Sequence, residues 1–180
     1  NGHYDTPKEL GKKWQMDVKY VPSACYAGED GEKFYQYTML EEASRKRFIY
    51  AYRETGGYST CDFVKRAIIW FGYAPDIIQT DNGGEFTHTK KTKRIHPFDS
   101  LCAELHITHK LIRPRTPWHN GKVERSHRND QERFYNHLSF YSYEDLQIQM
   151  KRYLYRSNNI PMAVLGWKSP NQKQREMETA

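Results

Sequence analysis

The sequence has few cysteines, no long apolar run and no glycine-rich phosphate loop. Its three cysteines, Cys25, Cys61 and Cys102, are widely spaced and form no CxxC pair, which argues against a disulfide framework or a zinc ribbon. This cysteine usage favours a reducing, intracellular setting. No apolar stretch approaches the roughly 18 residues of a membrane span, and no signal peptide opens the chain, so we expect no membrane partner. The sequence also lacks a dinucleotide-binding motif and any group of residues that would indicate a Ser or Cys nucleophile.

What is present indicates a folded, basic protein. The 180 residues are 37% hydrophobic and 14% aromatic, enough for one domain with a real core. Lys and Arg number 28 against 22 Asp and Glu, which gives a net charge of +6 and suits a polyanionic partner. The positive charge is concentrated between Lys110 and Arg133 and in the run 90–94. Because the first residue is Asn1 rather than Met, we expect a segment of a longer protein.

The hydrophobic pattern predicts an α/β fold. Alternating, β-rich segments predict an antiparallel three-strand meander at 14–21, 33–39 and 46–52. A helix from Ser59 or Thr60 to Gly72 leads into a short apolar strand at 76–80. Further along, the pattern predicts a mobile basic loop at 87–96, a helix at 97–105, a strand at 107–112, a long helix from Trp118 or His119 to His137, and a last helix at 144–157. Residues 161–180 show little periodicity.

Three acidic residues stand in informative positions. Asp17 interrupts a strand, where Asp is disfavoured, Asp81 follows a strand in an Asp-Asn-Gly turn, and Glu124 lies near the start of a helix. Simpler explanations exist for each: a solvent acid on an edge strand, a turn former, and a helical ion pair with Arg128. Carboxylates brought together at strand ends, however, can hold two Mg²⁺ ions for attack on a phosphodiester.

Histidines offer a weaker metal hypothesis. Cys102, His106 and His109 have a plausible ligand spacing for zinc, but no fourth ligand is evident. His119 and His127 are better explained as phosphate contacts or as residues packed near the acidic site.

Two motifs carry a family resemblance. The turn Thr80-Asp81-Asn82-Gly83 and the segment that runs from Pro114 through Asn120-Gly121-Lys122-Val123-Glu124-Arg125 together resemble the catalytic core of DDE-type transposases and retroviral-type integrases, including those of bacterial insertion sequences. The resemblance extends from about Lys13 to about Ser169. It implies a ribonuclease H-like fold, a five-stranded mixed sheet flanked by helices. We expect a lead-in at 1–12, the catalytic core at 13–160 and a C-terminal tail at 161–180.

The resemblance also implies the site residues. Asp17, Asp81 and Glu124 would be the catalytic acids and the ligands of two Mg²⁺ or Mn²⁺ ions. The expected DNA-binding residues surround the third acid: Arg115, Asn120, Lys122, Arg125, Arg128 and Gln131. The stretch between Asp81 and Glu124 is longer than is typical of the family, and the basic loop 87–96 accounts for the surplus.

The implied function is DNA strand cleavage and strand transfer, in DNA integration and recombination. Its partners would be transposon ends and target DNA, with a homo-oligomer assembled on the DNA, in the bacterial cytoplasm at the nucleoid. Two alternatives stay open: a ribonuclease H-like nuclease that only hydrolyses, and a non-catalytic DNA-binding module.

Overall fold

The computed structural model describes residues 5–29 and 31–180, and a five-stranded mixed sheet forms its centre. The strands are β1 (Lys13–Tyr20), β2 (Tyr35–Glu41), β3 (Arg47–Tyr52), β4 (Ile77–Thr80) and β5 (Thr108–Leu111). In space their order is β3-β2-β1-β4-β5. β1, β2 and β3 pair antiparallel, whereas β4 runs parallel to both β1 and β5. The predicted meander and mixed sheet are confirmed.

Within the described residues, five α-helices flank this sheet. They are α1 (Gly57–Phe71), α2 (Pro97–Glu104), α3 (Gly121–Arg133), α4 (Tyr143–Ser157) and α5 (Pro170–Glu178). α1 buries Phe63, Val64 and Ala67 at the predicted helical spacing. It ends where predicted, because Gly72 adopts φ 86° and donates its N–H to the Ile68 carbonyl.

Alternation along β1 divides the molecule into two layers. Trp14 is fully buried and its ring lies 4.5 Å from that of Phe71 on α1. Gln15, the next residue, is equally buried but hydrogen-bonds to the start of α3. Since successive side chains of a strand point to opposite faces, Asp17 shares the α3 face with Gln15.

The helix that carries Glu124 is shorter than predicted. A 3-10 turn covers Pro117–Asn120, and α3 then begins at Gly121 and ends at Arg133 rather than near His137. Phe134 leaves helical geometry at φ −125° and ψ −64°. Its buried ring stacks on Tyr153 with centroids 4.6 Å apart, so packing against α4 overrides the helical pattern.

The segment 161–180 contains a helix that the sequence reasoning missed. Ser169 and Gln172 form a reciprocal capping box at the start of α5, with Pro170 in the first turn. The Asn171 N–H donates to the Asn158 carbonyl, which ties α5 to the end of α4. The Ser-Pro-Asn-Gln signature was visible in the sequence, but the helix lacks the apolar stripe that would have drawn attention to it.

A buried ion pair holds α3 against the sheet. The Arg47 guanidinium on β3 contacts both carboxylate oxygens of Asp130 on α3, each at 2.7 Å. Asp130 also accepts hydrogen bonds from Tyr153 and Gln36. This network joins β2, β3, α3 and α4, and it thereby sets the position of the helix that carries Glu124.

The basic segment 87–96 forms no helix or strand. Both of its ends are anchored: Phe86 is fully buried, and the His96 ring nitrogen lies 3.0 Å from the Gly84 carbonyl oxygen. Its mobility stays a prediction. Of the helices that the structure describes, none is long and apolar enough to cross a membrane.

Candidate active site

Parallel pairing of β1 and β4 brings two of the three predicted acids together. Gln15 is paired with Gln79 in the strand register, and Asp17 and Asp81 each follow two residues later on the same face. The carboxyl ends of adjacent parallel strands are where α/β folds place their sites. Residues 64 positions apart in sequence thus become neighbours in the sheet.

Two buried glutamines dock the start of α3 beside these aspartates. The Gln15 side-chain oxygen accepts the Val123 N–H at 3.0 Å, and its amide donates to the His119 carbonyl at 3.2 Å. Gln79 donates to the same His119 carbonyl. Sequence reasoning missed both residues, although each lies two positions before one of the predicted catalytic aspartates and therefore on the same strand face.

Glu124 lies in the first turn of α3, where the helix dipole favours a carboxylate. Its side chain is exposed. Burial and the negative charge of Asp81 nevertheless raise the pKa of Glu124, while Arg128 opposes the shift. Glu124 is therefore within electrostatic range of Asp81.

Asp17 is largely buried. Only 16% of its side chain is exposed. Burial, followed by the charges of Asp81, Glu124 and Glu85, raises the pKa of Asp17 to about 7. The nearest imidazole does not balance it: His127 lies 3.7 Å away, but burial lowers the pKa of His127 to about 3, so the contact is not an ion pair.

The turn after β4 holds Asp81 by its own backbone. The Asp81 carboxylate accepts the Gly83 N–H at 2.8 Å, and Asn82 donates to the Ile112 carbonyl at 3.2 Å. A side chain at Gly83 would place its Cβ 2.5 Å from Glu85 and 3.0 Å from the Asp81 carboxylate. A larger residue at this position would therefore crowd the Asp81 carboxylate.

These carboxylates form a donor set that fits a hard divalent cation. Asp17 is buried among negative charges, and a bound cation would offset that repulsion. Within residues 5–29 and 31–180, no three carboxylate, imidazole or thiolate groups are gathered closely enough to hold an ion by themselves. Mg²⁺ does not require this, because it is commonly bound by one or two carboxylates together with water and substrate phosphate.

The predicted DNA-binding residues do not share one face of the protein. At about 100° per residue, Arg128 and Gln131 lie within about 40° of Glu124 around α3, whereas Arg125 lies about 100° away. Arg115, in the loop before α3, is exposed and adopts φ 64°. Contact of these four residues with DNA stays a prediction.

Asn120 and Lys122 depart from the expectation of exposed DNA contacts. Asn120 is 1% exposed, and its amide reaches the Met16 carbonyl at 3.4 Å. Lys122 has 14% of its side chain exposed, and its ammonium lies 3.0 Å from the buried Glu42 carboxylate. Their surroundings favour positioning the first turn of α3, since an interior amide and a buried ion pair do not present donors to a phosphate.

The zinc hypothesis finds no support among the described residues. Cys102 is free and buried, and His106 is exposed. His109 is engaged instead by Asp99 at 2.6 Å and by Thr80 at 2.7 Å. His127 lies beside the acids, as predicted for a residue packed near the site.

Fold and site together define an α/β protein with an acidic centre at the edge of a mixed sheet, assembled from two strands and one helix. A family model described as the integrase core domain matches residues 7–117, and a second integrase core domain model matches residues 105–170. The chain belongs to the integrase core domain family.

A curated viral protein is similar in sequence. The ORF3 protein of Spiroplasma virus SpV1-C74, which carries a provisional integrase name, is 30% identical over 164 residues, and the match covers 84% of this chain. The matched region covers 43% of that viral protein, so the chain spans less than half of its relative's length.

Solved retroviral structures share the fold. One chain of the simian T-cell lymphotropic virus intasome with PP2A regulatory subunit B56 gamma superposes with a TM-score of 0.70 at 18% identity, over 95% of this chain and 56% of that one. The bovine immunodeficiency virus (BIV) integrase core gives 0.68 at 21%, over 94% and 97%. The trimeric HTLV-2 integrase core with magnesium gives 0.65 at 18%, over 91% and 96%. Retroviral integrase cores have the ribonuclease H-like fold, so that prediction is confirmed.

Proposed function

We propose that this chain is the catalytic core of a Mg²⁺- or Mn²⁺-dependent transposase or integrase that cleaves a DNA strand and transfers its 3′ end to target DNA. The observation that carries the proposal is the parallel pairing of β1 with β4, which places Asp17 and Asp81 on neighbouring strands, together with the docking of the first turn of α3 on Gln15. The family and the viral relative support the same reaction class.

Asp17, Asp81 and Glu124 would hold two metal ions. Such ions, when bound, activate the attacking oxygen and stabilise the leaving oxygen in a phosphodiester displacement. Asp17 must release its proton to serve as a ligand, which its pKa of about 7 permits near neutral pH. The Gln15 and Gln79 clamps hold α3 so that Glu124 keeps its position relative to the strands.

DNA would approach over the Glu124 side of α3. Arg128 and Gln131 share that side, and exposed Arg115 lies in the loop before the helix. The HTLV-2 cores are described as trimeric and dimeric, and the simian viral assembly as an intasome. We extend these descriptions to propose a homo-oligomer on transposon-end and target DNA, in the bacterial cytoplasm at the nucleoid.

A joining assay with pre-cut DNA ends tests the proposal. The wild-type chain with Mg²⁺ should insert the labelled 3′ end into target DNA. Asp81→Asn and Glu124→Gln should each abolish joining while retaining DNA binding. Glu144→Gln, which alters an exposed acid in the first turn of α4, is the matched control and should join normally.

Each alternative outcome has a distinct meaning. Nicked products without joined ones would indicate a nuclease that only hydrolyses. DNA binding without any metal-dependent cleavage would indicate a binding module. Unchanged joining in both acid variants would refute the site assignment.

A further inference from the structure

A cavity lies on the other side of the helix that carries Glu124. It has a volume of about 330 Å³ and is enclosed by α3 and the segment from Ser157 to Pro170. Arg133 lies about 180° from Glu124 around the helix axis, so this cavity faces away from the acids. The face of α3 that lines it contributes Lys122, Arg125, Ser126, Asn129 and Arg133.

One wall of this cavity is cationic. Arg45 and Arg47 add to the basic residues of α3, and no Asp or Glu is among the described lining residues. Arg47 is committed to Asp130, and Lys122 to Glu42. Arg125 and Arg133, by contrast, are exposed, and they can turn their guanidinium groups towards an anion in the cavity.

The opposite wall is apolar and ends in an exposed tryptophan. Met162 and Lys168 form an isolated antiparallel bridge, and the Trp167 N–H donates to the Met162 carbonyl at 2.9 Å. Trp167 is 71% exposed and adopts φ 67°, a conformation that costs free energy for a bulky residue. A short, hydrogen-bonded turn thus holds an indole ring at the mouth of a basic cavity.

We propose that this cavity binds one unpaired nucleotide of the DNA substrate, with the base stacked on Trp167 and the phosphate held by Arg125 and Arg133. A cationic wall facing an aromatic ring is the combination by which proteins hold single-stranded nucleic acid. The volume lies at the lower end of the range for small-molecule sites, which suits one nucleotide and excludes a duplex.

This inference rests on the proposed function, because DNA cleavage would supply the unpaired nucleotide. Cleavage of one strand a few nucleotides from a DNA end leaves the other strand as a short single-stranded overhang. A base in a duplex is stacked and paired, so only such an overhang presents a free base without the cost of unpairing. The cavity therefore predicts that the chain distinguishes overhanging DNA ends from blunt ones.

The test measures binding without divalent cations, by fluorescence anisotropy of a labelled duplex with a short overhang and of a blunt duplex of equal length. Trp167→Ala should weaken binding of the overhanging duplex about fivefold or more, because one stacked base is lost. Arg133→Ala should weaken it in the same direction. Affinity for the blunt duplex should change less than twofold in both variants.

Two control variants remove the same kinds of group, an aromatic ring and a positive charge, from exposed positions on α4. Tyr155→Ala deletes an exposed aromatic ring on α4, and Lys151→Ala deletes an exposed charge there. Neither should alter the preference for the overhang. Thermal unfolding of all four variants shows whether each one is folded.

Two results would overturn the inference: wild-type affinity of folded Trp167→Ala for the overhanging duplex, or an equal loss for both DNAs. The proposed function fails separately, in the joining assay. Asp81→Asn should keep the overhang preference, because that preference does not depend on catalysis.

Discussion

The side-chain oxygen of Gln15 accepts the backbone N–H of Val123 at 3.0 Å, although 108 positions separate the two residues. This bond fixes the residue that immediately precedes Glu124 to the strand that carries Asp17. The third acid therefore takes its position from a neutral, fully buried amide.

Replacing Gln15 with Leu should reduce activity more than its effect on stability explains. The change leaves the Val123 N–H without its acceptor, at a cost of about 1–3 kcal/mol in the free energy of unfolding. We also expect a fall in strand-transfer rate of about tenfold or more, because Glu124 loses its fixed position. Chemical denaturation and the joining assay measure the two effects.

Gln147→Leu is the matched control for this prediction. Gln147 is a comparable clamp, since its amide accepts from the Ala51 N–H and donates to the Ala51 carbonyl, but it ties α4 to β3. It should lower stability without a specific loss of activity. Equal activity losses in the two variants, at equal stability, would contradict the role of Gln15.

Asp17 makes stability depend on pH. Because its pKa is about 7 in the folded protein and 3.8 when unperturbed, the folded state retains the proton over this range while the unfolded state releases it. The free energy of unfolding should therefore fall as pH rises from about 4 to about 7, by about 2–4 kcal/mol. Asp17→Asn should remove this decline, as followed by urea denaturation across pH without divalent cations.

The effect of Mg²⁺ on the melting temperature is a second test of the role of Asp17. At pH 8 it should raise the melting temperature of the wild-type chain, since a cation that binds only the folded state stabilises it. Asp17→Asn should show little or no such increase. If the free energy of unfolding of the wild-type chain did not change with pH, this would argue against the raised pKa of Asp17.

Two adjacent glycines should respond differently to alanine. At Gly83 the new Cβ meets the Asp81 carboxylate, whereas at Gly84 its nearest neighbour is a Thr89 methyl carbon at 3.6 Å. We expect Gly83→Ala to lower strand transfer about tenfold or more by displacing Asp81. Gly84→Ala should stay near wild type in the same assay, and similar activities for the two variants would contradict the proximity argument.

Asp130 should make a large contribution to stability near neutral pH. Burial alone would raise its pKa, but the charge and hydrogen bonds of Arg47 outweigh burial and lower the pKa of Asp130 to about 2. Its contribution is therefore complete above its usual pKa of 3.8 and is lost as pH falls towards 2. Asp130→Asn should cost about 3–5 kcal/mol at pH 7, because it leaves the Arg47 charge buried and uncompensated.

Replacing both partners separates the charge effect from packing. Arg47→Met with Asp130→Leu should destabilise less than Asp130→Asn alone, since no buried charge is left behind. Equilibrium denaturation of the single and double variants decides the point. A larger loss of stability in the double variant would show that the ion pair stabilises the fold by more than the free energy needed to desolvate it.

Local pattern was enough to predict most of the fold. β1 to β5 follow from short segments rich in β-forming residues, and α1, α2 and α4 follow from helical periodicity. The missed α5 is predominantly polar, and the early end of α3 depends on the stacking of Phe134 on Tyr153, a contact between distant segments. Helix propensity depends on local sequence alone and therefore does not reflect a contact between distant segments.

The acids could be proposed from the sequence, but their supports could not. Gln15, Gln79 and Glu85 are common residue types whose importance arises only when β1, β4 and α3 meet. For the same reason, Asn120 and Lys122 were predicted to face DNA. Their burial depends on Met16 and Glu42, which lie on other elements.

The pairing of β1 with β4 also affects when the acidic site is assembled during folding. Contacts between such distant segments form slowly, because a long loop must close before any favourable contact repays its entropy. Glu124 then has to dock from still further along the polypeptide. A partly synthesised or partly folded chain thus carries its three acidic residues apart, and they come near one another only once the whole domain has closed.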